Sequence, residues 1–162
     1  MSDRAPTFEE LEEQGDAVAD FLEELFEAMG LDAIAEPVRR GSHVYVDIVD
    51  AAEEDLSLLI GRHGQTLDAI QELTRMIVGR RLDERIRVIV DVDGYRQDRE
   101  EQLSVRGREV AEQVKDDGGE IELEPMSPFE RKIVHDAVAE VEGVETLSRG
   151  EDPQRYVVIR RL

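Results

Sequence analysis

The chain has 162 residues, 40% of them hydrophobic, which suffices for the packed core of one domain or two small ones. It has no Cys and three widely separated His (His43, His63 and His135), which removes disulfide frameworks, thiolate metal sites and a Cys nucleophile and leaves a His-based zinc site little support. The net charge of −20 argues at first sight against a nucleic-acid partner, because phosphate would be repelled.

The distribution of charge changes that expectation. Residues 1–60 carry −14, residues 61–115 are balanced with 11 acids and 11 bases, and residues 116–162 carry −6. Positive charge therefore gathers from Arg62 onward. Lys occurs only at Lys115 and Lys132, so nearly every base is Arg, the side chain better suited to phosphate forks and base stacking. The lack of any long apolar run and the acidic N-terminus point to a cytoplasmic protein without signal peptide or membrane span.

In chain order, Thr7 with Glu10 predicts a capping box opening an acidic helix. Leu11, Val18, Leu22, Leu25 and Met29 form its apolar stripe, and Gly30 stops it. Two extended pieces follow over 37–40 and 43–49, the second alternating Val44, Val46 and Ile48 against Tyr45, Asp47 and Val49. A short helix over 54–60 runs into Gly61-Arg62-His63-Gly64. A second helix is expected over 65–78, with Leu67, Ile70, Leu73 and Ile77 inward and Gly79 as its stop. Ile86, Val88, Val90 and Val92 then alternate as a strand that ends at Asp93-Gly94.

Helix, strand, strand, helix, helix, strand is a complete α+β unit closing near Asp93. Beyond it, residues 95–117 form a long Arg- and Glu-rich helix with Leu103, Gly107, Val110 and Val114 on one face, and Gly118-Gly119 breaks it. A short strand over 120–124 comes next. Ser127-Pro128-Phe129-Glu130 then starts a capped helix lined by Ile133, Val134, Ala137, Val138 and Val141. Strands over 144–147 and 155–160 close the chain. The division expected is an acidic helical segment (1–29) able to complete the first domain, a domain over 30–93, and a second over 94–162.

Two motifs carry chemistry. Gly61 and Gly64 lie between two helical patterns rather than between a strand and one helix, so they form neither a dinucleotide fingerprint nor a P-loop. Lacking Cβ atoms, they let backbone approach a sugar-phosphate closely, and the free N–H groups of the next helix favour an anion. A lone G-x-x-G is more often a capped helix that restarts. Here Leu59-Ile60 precede it, basic Arg62-His63 fill it, and alternating strands flank it. The second motif is Arg131 and His135, i and i+4 on the capped helix and so on one face, one always cationic and one titrating near neutrality. Together they can hold a phosphate. As an isolated R-x-x-x-H pattern, a solvated Arg and a packed His are the commoner outcome.

The run Leu-Ile-Gly-Arg-His-Gly-Gln-Thr-Leu-Asp-Ala-Ile-Gln, residues 59–71, resembles the type II KH domain of the Jag/KhpB family, and residues 125–155 resemble the R-three-H domain (Arg, three residues, His) that follows KH in those proteins. The resemblance covers about residues 30–162 and implies a single-strand-binding KH clamp. In it, Gly61, Arg62, His63 and Gly64 contact phosphates, and Ile60, with Val46 and Ile48 behind it, offers a hydrophobic groove for bases. It further implies a phosphate site of Arg131, His135, Arg149 and Arg155. Arg149 is a departure, since the family loop more often reads Ser-Glu-Gly. The implied ligand is single-stranded RNA, with single-stranded DNA as the alternative, and no cofactor or metal. The implied role is RNA chaperone or post-transcriptional regulator, linked to cell shape and envelope homeostasis. A smaller KH-only protein and a second copy of the chain are the implied protein partners. Many relatives carry an additional N-terminal Jag-specific domain, in place of which this chain has only the acidic segment.

Nothing in the sequence assembles a catalytic centre. Forty carboxylates make close pairs expected by chance, Ser127 is accounted for as a helix cap, and Asp91 with Asp93 reads as turn chemistry rather than an Mg²⁺ site. The competing functional class is a protein-interaction adaptor, in which the −14 of the first 60 residues docks a basic partner.

Overall fold

The computed structural model describes residues 5–162, so the first four residues of the expected N-terminal segment lie outside the described residues. Twelve elements follow one another. They are α1 (Phe8–Met29), β1 (Ile34–Arg40), β2 (His43–Val49), α2 (Glu53–Ile60), a 3-10 turn (Arg62–Gly64), α3 (Gln65–Leu82), β3 (Ile89–Val92), α4 (Tyr95–Asp117), β4 (Glu120–Glu122), α5 (Pro128–Ala139), β5 (Val144–Arg149) and β6 (Tyr156–Arg161). The architecture is α+β, with two compact units meeting between Tyr95 and Arg96.

In the first unit, β1 pairs antiparallel with β2, and β2 pairs parallel with β3. A parallel pair needs a crossover, and α2 and α3 supply it. Val44, Val46, Ile48, Val90 and Val92 are buried in a core shared with α1, α2 and α3. The acidic N-terminal helix belongs to this core. Thr7 Oγ1 accepts from Glu10 N and a Glu10 carboxylate oxygen accepts from Thr7 N, which closes the capping box and orients α1 over the sheet. At Gly15 a Cβ would stand 3.1 Å from Val44 Cγ1, so glycine is what lets α1 lie this close to β2.

Two expectations are corrected in these helices. The apolar stripe of α1 holds at Leu11, Val18 and Leu22 but is wider than expected, with Phe21 and Phe26 also buried and Met29 exposed before the Gly30 cap. Helix α3 passes through Gly79 to Leu82, where Asp83 in the left-handed region donates its N–H to Gly79 O. Gly79 is a contact position, since a Cβ there would lie 2.9 Å from Glu84 O as the chain folds back. The inward face of α3 is Leu67, Ile70, Gln71, Thr74 and Val78, leaving Leu73 exposed.

Buried amides replace the missing strand partner along the outer edge of β3 and its approach. Gln14 on α1 donates to Arg85 O (3.3 Å) and accepts from Arg87 N (3.0 Å). Gln71 on α3 donates to Val88 O (3.2 Å) and accepts from Val90 N (2.8 Å). Each glutamine thus satisfies two backbone groups that a neighbouring strand would otherwise take.

In the second unit, β4 and β5 flank β6, all antiparallel. Leu103, Val110, Ala111 and Val114 of α4 meet Val134 and Val138 of α5 over Val144, Val157 and Ile159. Ser127 caps α5 through a second capping box with Glu130, and the buried Glu130 carboxylate also accepts from Arg99 Nε at 2.8 Å. Strand β5 is longer than expected because it continues through Arg149 to meet Tyr156, while β6 keeps its expected length one residue further on.

The first unit has its own core, so a fragment spanning residues 1–96 is expected to melt cooperatively in circular dichroism. Because Tyr95 packs on that core, ending the fragment at Asp93 lowers the midpoint. A featureless melt of the longer fragment would contradict an independent first unit.

Candidate nucleic-acid interface

Helix α2 hands over to α3 through four residues, three of them at positive φ: Gly61 (70°), His63 (53°) and Gly64 (75°). At Gly61 a Cβ would stand 2.1 Å from Thr66 Oγ1 and 2.9 Å from Thr66 N, and at Gly64 one would stand 2.8 Å from Tyr95 Cε1. Both glycines are thus required twice, by backbone conformation and by close approach. His63 adopts the left-handed region without that freedom, at a cost of about 1–2 kcal/mol.

This tight turn leaves α3 without a side-chain cap at its N-terminus, and within it Gly64 N donates to Gly61 O at 3.4 Å and Gln65 N to Arg62 O. Arg62 is exposed there and makes no ion pair among the described residues. His63 is half-buried and Gly64 buried, so the pair Arg62 and His63 is not equally open to solvent. Ile60 is half-buried and packs on the core beneath the turn. Val46 and Ile48 are fully buried, which corrects their assignment to a base-binding groove. They shape the floor beneath the site and cannot touch a ligand.

In the second unit, α5 does bring Arg131 and His135 to neighbouring positions, close enough that the Arg131 charge helps lower the His135 pKa. Neither side chain is free. Arg131 is only 9% exposed, and its Nη1 donates to Met126 O and to Asp152 Oδ1, each at 2.8 Å. The His135 ring nitrogens face two hydroxyls of β5, Nδ1 at 2.6 Å from Thr146 Oγ1 and Nε2 at 3.1 Å from Ser148 Oγ. Burial is the largest influence on this imidazole and pushes its pKa below the ordinary histidine value. The Arg131 charge adds to that and Asp136 opposes it.

Arg149 is also neutralised. It donates to both Glu120 oxygens at 2.7 and 3.1 Å, with Glu122 at 3.7 Å, a fork that raises its own pKa and lowers that of Glu120. Arg155 differs from the other two arginines, since its Nε is buried without a hydrogen-bond partner. Its backbone O accepts from Met126 N, which places it beside the same Met126 that Arg131 grips.

The residues that sequence reasoning left without a role are therefore the partners: Asp152, Glu120, Thr146, Ser148, Thr66 and Tyr95. No spacing rule signals them, because each reaches its target across a sheet or a turn. Among the described residues, no cluster of three or more His, Asp or Glu is arranged to hold a metal ion, and no helix is long and apolar enough to cross a membrane.

The lowered His135 pKa has a sign that can be checked. The unfolded chain binds the proton more readily, so the neutral ring contributes full stability above the ordinary histidine pKa, and that contribution is lost as pH falls below it. The melting temperature is expected to drop from pH 7.5 to 5, and to drop less in His135→Gln. An equal drop in both proteins would remove His135 as the source.

Comparison with known proteins matches one domain type within each unit. Residues 16–92 match the KH-domain profile of the KhpA/KhpB proteins, and residues 101–161 match the R-three-H domain profile. A protein of Clostridium symbiosum is 37% identical over 144 residues, 89% of this chain and 64% of that protein. One of Bacillus subtilis is 40% identical over 108 residues, 65% of this chain and 52% of that protein. One of Streptococcus pneumoniae is 35% identical over 101 residues, 62% of this chain and 31% of that protein. Each of the three bears the name RNA-binding protein KhpB. The chain spans between about a third and two thirds of these relatives' length. With both domain types matched in the same order, and with similarity to KhpB proteins across most of its length, this chain belongs to the Jag/KhpB family.

Proposed function

We propose that this chain is a non-catalytic binder of single-stranded RNA whose main anchor is the turn at residues 61–64. The observation that carries this reading is the strained turn itself. His63 and two glycines at positive φ, an uncapped α3 N-terminus and the unpaired, exposed Arg62 converge on one point of the surface. Backbone strain held at such a point is a mark of function, and N–H groups beside a guanidinium suit a phosphate oxygen. The names of the relatives support RNA as the strand.

The second unit contributes a weaker site in this scheme. A phosphate there displaces Asp152 from Arg131 and gains the unpartnered Arg155 Nε as a donor. His135 keeps the Ser148 and Thr146 hydroxyls in place rather than touching phosphate. Because one chain carries both units, binding at one raises the effective concentration at the other, and two weak sites give useful avidity. The associated cellular role is that of an RNA chaperone or post-transcriptional regulator in the cytoplasm, with a smaller KH-only protein or a second copy as partner and a link to cell shape.

Fluorescence anisotropy with a short single-stranded RNA tests the reading. The logarithm of affinity is expected to fall linearly with that of salt concentration, with slope of roughly −0.7 per phosphate neutralised. Arg62→Glu is expected to weaken binding by about tenfold or more, since it sets a carboxylate against the phosphate. Absence of RNA affinity at low salt would favour the adaptor alternative, in which the acidic first 60 residues dock a basic protein.

A further inference from the structure

Four arginines of the first unit, Arg62, Arg80, Arg85 and Arg87, make no side-chain hydrogen bond, ion pair or ring contact among the described residues. The others are engaged: Arg40 with Asp47, Arg75 with Glu72, Arg81 with Glu24, and Arg39 over the Phe8 ring. Half of the described arginines of this unit are thus left without a partner in a chain of net charge −20. Arg62 belongs to the turn already described. Arg85 and Arg87 stand elsewhere, and with Arg75, Glu72 and Ile86 they line a groove of about 530 Å³ between α3 and the approach to β3.

The groove is built on fixed backbone. Ile86 and Val88 are buried while Arg85 and Arg87 are exposed, so the extended segment sends its arginines to the side away from the core. Gln14 holds Arg85 O and Arg87 N, and Gln71 holds Val88 O and Val90 N. The backbone positions of Arg85 and Arg87 thereby lie about 6.6 Å apart along an extended segment, with both side chains on its exposed side. Arg75 adds a third, held at 2.5 Å by Glu72 in an exposed i,i+3 pair that is cheap to open. Planar guanidinium forks on a hydrogen-bonded backbone suit the phosphates of an extended strand.

Helix α3 connects this groove to the turn. Eleven residues separate Gly64 from Arg75, about 16 Å of helix, so one RNA strand of modest length can reach both. We infer that the groove of Arg75, Arg85 and Arg87 is a second phosphate-binding site of the first unit, occupied by the continuation of the strand held at residues 61–64. The inference rests on the RNA-binding reading above. Continuity with that turn, on the same helix, favours RNA over an acidic protein as the occupant.

The test uses the full chain with Arg85 and Arg87 both changed to Gln, a change of exposed side chains that leaves the clamped backbone in place. Its melting temperature is measured alongside. Anisotropy is read with fluorescent oligouridylates of about four and about twelve nucleotides, the shorter matching a single KH clamp. For the longer strand, the variant is expected to bind about tenfold more weakly. Its salt slope is expected to be shallower by roughly 1.4, two phosphates' worth. Affinity for the shorter strand should change by less than about twofold. Unchanged affinity for the longer strand, or an equal loss for both strands, would overturn the inference while leaving RNA binding itself intact. Unchanged RNA binding with weakened self-association in sedimentation would assign the groove to a second copy of the chain and overturn it too. If the wild-type protein bound neither oligonucleotide, the RNA-binding reading would fall, and the groove with it.

Discussion

Forty carboxylates against twenty basic side chains constrain what each arginine in this fold can do. Several arginines are captured by carboxylates, as Arg131 is by Asp152, Arg149 by Glu120 and Arg99 by Glu130. Capture of a half-exposed or exposed pair stabilises little, but it removes the cation from the list of ready phosphate contacts. In the first unit the arginines left unpaired among the described residues are Arg62 at the left-handed turn, Arg80 on α3, and Arg85 and Arg87 along the backbone clamped by Gln14 and Gln71. The functional surface is therefore defined less by where basic residues occur than by which ones the fold leaves unpaired.

That constraint separates the two units. In the first, the turn at 61–64 presents the exposed Arg62, which has no ion pair among the described residues. In the second, Arg131 is nearly buried while its partner Asp152 has a 54% exposed side chain, so an incoming anion meets the carboxylate first. The Arg149 departure from the usual family loop adds no free charge for the same reason, because Glu120 and Glu122 of β4 absorb it. The proposed difference in strength between the units thus rests on pairing geometry, not on the number of basic residues in each motif.

Much of the fold was legible because local signals and tertiary packing agreed. Both capping boxes, the alternation of Val44, Val46 and Ile48, and the buried face of α4 appear as read from spacing alone. The misreadings have one physical origin: a residue's type does not report what lies across from it. Gly79 suggested a helix stop, yet it is small so that Glu84 O can pass. Val46 and Ile48 suggested a groove, yet a strand between two others with a helix layer over it buries them. Residues 61–64 were legible as a site because the glycine spacing, the flanking helices and the basic pair all lie within one short stretch. The Arg131 and His135 neighbourhood was legible only as a pair of positions, since Asp152, Thr146 and Ser148 reach them from another turn and another strand.

The central claim is that the turn at residues 61–64 is where RNA is gripped. Amide chemical-shift mapping of the ¹⁵N-labelled chain during titration with a short single-stranded RNA tests it most directly. The account predicts that the largest shifts fall on Gly61, Arg62, Gly64 and Gln65, with smaller ones beside Arg131 and Arg155. Shifts confined to the acidic face of α1, or no shift in the turn at saturating RNA, would contradict it.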